Sequence, residues 1–191
     1  LSKIEEVFGP QTASSLLEED AVGEPLLLRS CKYKTSLNRI IHVYQAALIY
    51  DSSKADDELT IVEWGGGFGG LARVVKKIYP KSTYVIIDLP CVIALQYLYL
   101  ASVLEDSKLS ILGDEGFRNG EINLVPSMSL DMVASNLNAD IFVSAWALSE
   151  SSESAQNKVA DLKFFGATKG LLMHQKSTPS HPHAESSAII F

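Results

Sequence analysis

Residues 60–70 read Thr-Ile-Val-Glu-Trp-Gly-Gly-Gly-Phe-Gly-Gly, and residues 84–88 read Tyr-Val-Ile-Ile-Asp. Each stretch contains an apolar run with an acid at or near its end, Glu63 in the first and Asp88 in the second. Five glycines follow the first run within six positions, although glycine has the largest entropic cost of ordering the backbone. Such a cluster between a strand and a helix is typical of a loop whose main chain a ligand approaches closely.

Apolar strands and helical segments alternate on both sides of this glycine loop. The strands that we expect are 59–64, 83–87, 121–125, 140–144 and 170–174, with 109–112 ambiguous. The helices that we expect are 70–78, 90–104, 130–137 and 156–165. Apolar runs without period-two alternation, separated by helices, indicate a mostly parallel sheet covered on both faces. The sequence therefore predicts a doubly wound α/β domain over residues 59–191.

The two ends of the chain carry weaker signals. Residues 1–58 are predicted to form an N-terminal helical extension or lid, with a short helix over 2–8. A second helix is expected from Thr35 or Ser36 to Tyr50, where apolar residues recur at helical spacing after a plausible cap. The family that residues 60–150 resemble has two closing strands after 170–174, and only residues 186–191 remain for them, so we expect the C-terminal strands to be incomplete.

Composition limits the kinds of partner. The net charge of −7 argues against nucleic acid, because neutralising phosphates requires clustered Lys and Arg. No apolar run approaches the roughly 18 residues of a membrane span, so we expect no membrane partner. Cys31 and Cys91 are the only cysteines, which fits a reducing, cytoplasmic compartment. Homo-oligomerisation stays open.

The glycine loop satisfies two patterns together. Read from Gly65 it is G-x-G-x-x-G, the dinucleotide fingerprint, with Asp88 as the acid that binds the ribose hydroxyls. The alternatives are a glycine-rich turn that only lets a helix pack on a strand, and for Asp88 a cap of the helix that begins at Pro90. Read from Glu63 the loop is E-x-G-x-G-x-G. A buried carboxylate is costly without a partner, so we expect an ammonium group or a helix N-terminus beside Glu63.

This second pattern resembles motif I of the class I S-adenosylmethionine-dependent methyltransferases. Over roughly residues 60–150 the chain is similar to the sugar O-methyltransferase family. The segments that carry this likeness are 62–73, 79–80, 84–90, 95–97, 99–100, 125–127 and 142–150. The resemblance implies a Rossmann-like methyltransferase fold, S-adenosylmethionine as cofactor and O-methylation of a sugar or glycosylated acceptor. The competing hypotheses are an NAD(P)-dependent Rossmann oxidoreductase and a non-catalytic Rossmann-like binding module.

The resemblance also assigns positions around the cofactor. Those expected at its methionine end are Glu63, Gly65, Gly66, Gly67 and Phe68. Those expected at the ribose and adenine are Asp88, Leu89, Val125, Pro126 and Ser127. Those expected between the cofactor and the acceptor are Ser144, Ala145 and Trp146.

Methylation of a sugar hydroxyl needs a general base or a metal to remove its proton. His174, at the end of a predicted strand, is the first candidate for the base, and a structural histidine is the alternative. Glu150 is the second candidate, and its alternative is an acid favoured by a helix N-terminus. His181 and His183 are too few ligands for a metal site. A divalent metal would suit the chemistry, but no motif in the sequence supports one.

Overall fold

The computed structural model describes residues 1–29, 31–53, 58–104, 109–112 and 116–174, in which a single six-stranded parallel sheet forms the centre. Its strands are β1 (Thr60–Trp64), β2 (Thr83–Asp88), β3 (Leu109–Ile111), β4 (Ile122–Pro126), β5 (Ile141–Ala145) and β6 (Lys169–Met173). They lie in the order β3-β4-β2-β1-β5-β6. The predicted doubly wound parallel sheet is confirmed, and the ambiguous run at 109–112 supplies its edge strand.

Helices cover both faces of the sheet. They are α1 (Ser2–Leu17), α2 (Leu37–Ser53), α3 (Gly70–Ile78), α4 (Pro90–Val103), α5 (Leu130–Val133), α6 (Ala147–Glu150) and α7 (Glu153–Asp161). Helices α1 to α4 pack against one face, where Ile61 and Tyr84 point, and α5 and α7 pack against the other, where Val62 and Val85 point. Because β1 and β2 are buried on both faces, their sequences show no alternation.

Two of the helices predicted after residue 59 differ in extent by several residues from the observed ones. The segment expected over 130–137 is α5 followed by a 3₁₀ turn, Ala134–Asn136. The segment expected over 156–165 begins earlier, at Glu153, because the Ser152 hydroxyl accepts a hydrogen bond from the Ala155 N–H and caps the helix.

The N-terminal segment shares the core of the sheet. Helix α2 begins after Ser36, whose Oγ accepts a hydrogen bond from the Arg39 N–H at 3.1 Å, and this confirms the predicted cap. Val43 packs in the same apolar cluster as Ile61 of β1. Helix α1 is longer than expected, since the chain bends at Gly9 (φ 74) and continues to Leu17. The division between residues 1–58 and 59–191 stays a prediction.

A buried ionic network joins the residues that follow α1 to α2, α3 and α4. The Arg39 side chain, 1% exposed, pairs with Glu19 at 3.0 Å and with Asp20. Arg73 of α3 also pairs with Asp20, and the Tyr99 hydroxyl of α4 donates to Asp20 Oδ2 at 2.8 Å. Such pairs are costly to break, because the remaining charge is left buried without a partner.

The expected closing strands at 186–191, together with His181 and His183, lie outside the described residues. In the part of the chain that the structure describes, every helix is too short or too polar to cross a membrane.

Candidate functional site

A cleft of about 1040 Å³ opens at the carboxyl edge of the sheet. Strand β2 lies on one side of β1, and β5, which comes later in the chain, lies on its other side. In open α/β sheets, ligands bind in the crevice at such a reversal of strand order. The predicted site residues that line the cleft are Gly65, Asp88, Leu89, Ser127 and Glu150.

The glycine loop meets two different spatial requirements. A Cβ atom on Gly66 would lie 2.6 Å from Ile86 Cγ2 and 3.1 Å from Glu63 Oε2, so glycine lets the loop pack directly on the sheet. Gly67 is exposed, has a φ of +55 and would present a Cβ atom to open space. Glycine is favoured at such a φ, and no neighbouring atom lies within 4 Å of the place where its side chain would be. A ligand can approach the loop at that position.

Glu63 lies beneath the loop with 2% exposure. The Tyr84 hydroxyl donates a hydrogen bond to Glu63 Oε2 at 2.9 Å. Burial raises the pKa of Glu63 to about 8, the Tyr84 hydrogen bond opposes that rise and the negative charge of Asp88 adds to it. Among the described residues the hydrogen-bond partner of Glu63 is this phenol and not the expected ammonium group, and the expected helix N-terminus stays a prediction. A cation brought close to Glu63 would favour its ionised form.

Asp88 ends β2 and is half-buried. Its Oδ1 accepts the Leu89 N–H at 2.8 Å and its Oδ2 accepts Gln96 Nε2 at 2.8 Å. Burial raises the pKa of Asp88, against the hydrogen bonds from Leu89, Gln96 and the Gly66 N–H. Leu89 is the N-cap residue of α4, and no side chain caps that helix. The alternative role of Asp88 as a helix cap is therefore wrong.

Gln96 was not among the predicted site residues. It is fully buried on α4, and its Nε2 donates to the Gly67 carbonyl at 2.9 Å as well as to Asp88. The signal in the sequence is a single amide in an otherwise strongly apolar helix. That signal marks a buried polar residue, but it does not say which groups the residue contacts.

His42 of α2 supports the glycine loop from behind. Its ring centroid lies 5.5 Å from that of Phe68, and a Cβ atom on Gly70 would be 2.4 Å from His42 Cε1. Burial, together with the positive charge of Arg39, lowers the pKa of His42 to about 4. The ring is therefore neutral at pH 7. Helix α2 thus supports the glycine loop, although the two are far apart in the sequence.

The segment after β5 is held by hydrogen bonds within the protein. The buried Ser144 hydroxyl donates to the Trp64 carbonyl at 3.1 Å and accepts the Leu148 N–H at 3.0 Å. Trp146 has a φ of 68, which is uncommon for a residue other than glycine, and its N–H donates to the Met173 carbonyl at 2.7 Å. Ala145, between them, is half-buried.

The two candidates for the general base lie at the same edge of the sheet. Glu150 is exposed and lines the cleft. His174 is exposed and directly follows Met173, the last residue of β6, which pairs with Ala145 of β5. In the described residues, His174 is not part of the cleft lining.

The residues predicted beside adenine occupy different depths. Val125 is fully buried in the apolar core, Pro126 is half-buried at the end of β4, and Ser127 reaches the cleft. Among the described residues, no group of three or more His, Cys, Asp and Glu is placed to hold a metal ion.

Comparison with solved structures bears on the fold of the chain. The CurJ carbon methyltransferase superposes with a TM-score of 0.50 at 13% identity, over 95% of this chain and 43% of that one. PKMT2 from Rickettsia typhi gives 0.42 at 21% identity, over 59% of this chain and 20% of that one. The mitomycin 7-O-methyltransferase MmcR gives 0.43 at 15% identity, over 75% and 41%. The chain thus covers between 20% and 43% of the length of these three proteins.

The likeness to CurJ shows the Rossmann-like methyltransferase fold, as predicted. Residues 29–129, just over half of the chain, match the model of the family described as the O-methyltransferase domain. The chain belongs to that family. None of the curated protein sequences compared with it matches.

Proposed function

We propose that the chain is the S-adenosylmethionine-binding part of an O-methyltransferase that acts on a sugar or glycosylated acceptor. The observation that carries the proposal is the arrangement at the carboxyl edge of β1 and β2. There the exposed Gly67 is joined through Gln96 to Asp88, whose carboxylate retains hydrogen-bonding capacity, and the buried carboxyl of Glu63 lies beneath the same loop. In this proposal Asp88 accepts hydrogen bonds from the ribose hydroxyls with Leu89 beside them, Gly65 to Phe68 surround the methionine end, and Ser127 flanks the adenine.

The chemistry of the cleft supports a hydroxyl-rich acceptor. Polar side chains are frequent in its lining, among them Ser154, Asn157 and Asp161. S-adenosylmethionine supplies an activated methyl group, so the protein must hold the acceptor in line and remove its proton. Glu150 is the proposed base because it lines the cleft together with Gly65 and Asp88. His174 is the second candidate, since it lies at the same edge beyond β6.

Calorimetric titration with S-adenosylhomocysteine and with NAD tests the cofactor. We expect one molecule of S-adenosylhomocysteine to bind per chain and NAD to give no heat of binding. A buried carboxyl that becomes ionised beside a cation suits the ammonium group of the methionine end, whereas a dinucleotide offers only anionic phosphates at that loop. Binding of NAD in place of S-adenosylhomocysteine, or no binding of S-adenosylhomocysteine, would contradict the proposal.

Transfer of a labelled methyl group from S-adenosylmethionine to a panel of glycosides tests the acceptor and the base. Glu150→Gln should lower turnover by roughly 10²- to 10⁴-fold, the usual contribution of a general base, with unchanged affinity for S-adenosylhomocysteine. Glu153→Gln is the matched control, because Glu153 lines the same cleft, and should keep full turnover. Loss of turnover in His174→Asn but not in Glu150→Gln would move the base to His174.

A further inference from the structure

We infer that Gln96 is a positioning residue that fixes Asp88 as a hydrogen-bond acceptor for an unphosphorylated ribose and ties it to the glycine loop. The inference rests on the proposed function, since the ligand is the adenosine part of S-adenosylmethionine. It concerns a residue of α4 that points into the protein and does not line the cleft.

The amide of Gln96 has only one chemically sensible orientation. Its two neighbours, the Gly67 carbonyl at 2.9 Å and Asp88 Oδ2 at 2.8 Å, are both acceptors. An amide NH₂ group offers two donors, and the amide oxygen offers none. Turning the amide over would place its oxygen against two other oxygens. One nitrogen therefore holds the loop and the carboxylate at a fixed spacing.

This arrangement determines what Asp88 can bind. Oδ1 is already bonded to the Leu89 N–H and Oδ2 to Gln96, and neither donor can accept a proton from the carboxyl group. The Gly66 N–H also donates to this carboxylate, so one of its four acceptor positions stays free, and a hydroxyl of a ribose diol can fill it. A phosphate on either hydroxyl would instead bring negative charge against the carboxylate. The pair of Gln96 and Asp88 thus selects a nucleoside with a free diol.

The stability of the fold does not explain Gln96. Its Oε1 is buried and has no hydrogen-bond partner among the described residues. An unpaired buried acceptor is destabilising, and an apolar side chain would avoid that cost. Conflicts of this kind between stability and local rules are expected at functional sites.

The test compares Gln96→Leu and Gln96→Glu with the same substitutions at Gln45. Gln45 is 1% exposed, donates to Met173 Sδ at 3.1 Å and also has a buried, unpaired Oε1, but its hydrogen bond leads to β6 and not to the loop. The measurements are the dissociation constant for S-adenosylhomocysteine from pH 5.5 to 8.5 and the melting temperature without ligand. Gln96→Leu should weaken binding roughly 10- to 100-fold, the scale of hydrogen bonds to a charged group.

Gln96→Glu has a signature that simple destabilisation would not produce. It places a second carboxyl beside Asp88, and two carboxyls in contact share one proton. Its affinity relative to the unaltered chain should therefore fall steeply as the pH rises. The Gln45 variants should lower the melting temperature and leave the affinity within about twofold at every pH, since Gln45 has no contact with Asp88.

The outcomes separate the two proposals. If the unaltered chain fails to bind S-adenosylhomocysteine, the proposed function fails. If it binds and both Gln96 variants bind equally well with the same pH dependence, the role of Gln96 is overturned. Should the variants not fold, the unaltered chain decides by competition. Adenosine should displace S-adenosylhomocysteine and adenosine 2′-phosphate should not, and equal displacement by the two would overturn the inference.

Discussion

Replacing Glu63 by Gln should change how the stability of the protein depends on pH. Burial raises the pKa of this carboxyl from 4.5 to about 8 in the folded chain, whereas the unfolded chain has the ordinary value. Between these values the folded state keeps a proton that the unfolded state loses. The stabilising contribution is complete below pH 4.5 and is lost as the pH rises through 8. The two pKa values correspond to about 5 kcal/mol across that window.

The measurement is urea denaturation of both proteins at half-unit steps from pH 5 to 8.5. Glutamine has the shape of the protonated acid and can accept the hydrogen bond of the Tyr84 hydroxyl, but it does not ionise. The variant should therefore gain stability relative to the unaltered chain, by roughly 4 kcal/mol between pH 5 and pH 8. His42, whose pKa is lowered to about 4, stabilises above pH 6.5 and loses that contribution as the pH falls. His42 is present in both proteins, so its contribution to stability cancels in the difference between their curves.

A difference in stability that stays constant from pH 5 to 8.5 would refute this reasoning, because it would mean that Glu63 ionises normally in the folded chain. Tyr84→Phe gives an independent check. The Tyr84 hydroxyl lowers the pKa of Glu63 through its hydrogen bond, so its removal should extend the loss of stability to higher pH. An unchanged window would show that the phenol does not act on this carboxyl, and a window that moves to lower pH would show that it acts in the opposite direction.

Three further predictions concern the loop, its acid and the ionic network. Asp88→Ala should weaken binding of S-adenosylhomocysteine by roughly 1–3 kcal/mol in calorimetry, and unchanged affinity would remove Asp88 from the site. Gly67→Ala should cost about 1–2 kcal/mol of stability because of its φ of +55 and weaken binding at least tenfold. Gly23→Ala, with a φ of +76 and equally open space, should cost the same stability and leave binding intact. Asp20→Asn should lower the free energy of unfolding by roughly 3–5 kcal/mol, because Arg39 loses a buried partner, and a loss below about 1 kcal/mol would contradict that coupling.

The central strands could be predicted because both of their faces are buried, which leaves a continuous apolar run in the sequence. The partner of Glu63 was also within reach. In the register of β1 and β2, Glu63 lies opposite Ile86, so Tyr84 lies two residues back along β2 on the same face. The expected ammonium or helix N-terminus followed from the cost of a buried charge. The protein avoids that cost by holding the carboxyl protonated.

Gln96 and His42 show why other parts of the site could not be predicted. Each reaches the glycine loop only through helix packing, and no local pattern says which face of α4 or α2 meets the loop. Helix α1 beyond Gly9 was missed for a similar reason, since Pro10 favours a break and only packing of Leu16 and Leu17 in the core continues the helix.

The order of the strands also sets the order in which the cleft can form during folding. The wall made by β1 and β2 joins residues about 20 apart, as in the bond between Tyr84 and Glu63. The opposite wall depends on contacts such as that between Ser144 and Trp64, which are 80 residues apart. Contacts of long sequence separation form slowly because a large loop must close first. A nascent chain therefore exposes its glycine loop before the cleft exists, and a ligand held by both walls stabilises only the completed fold.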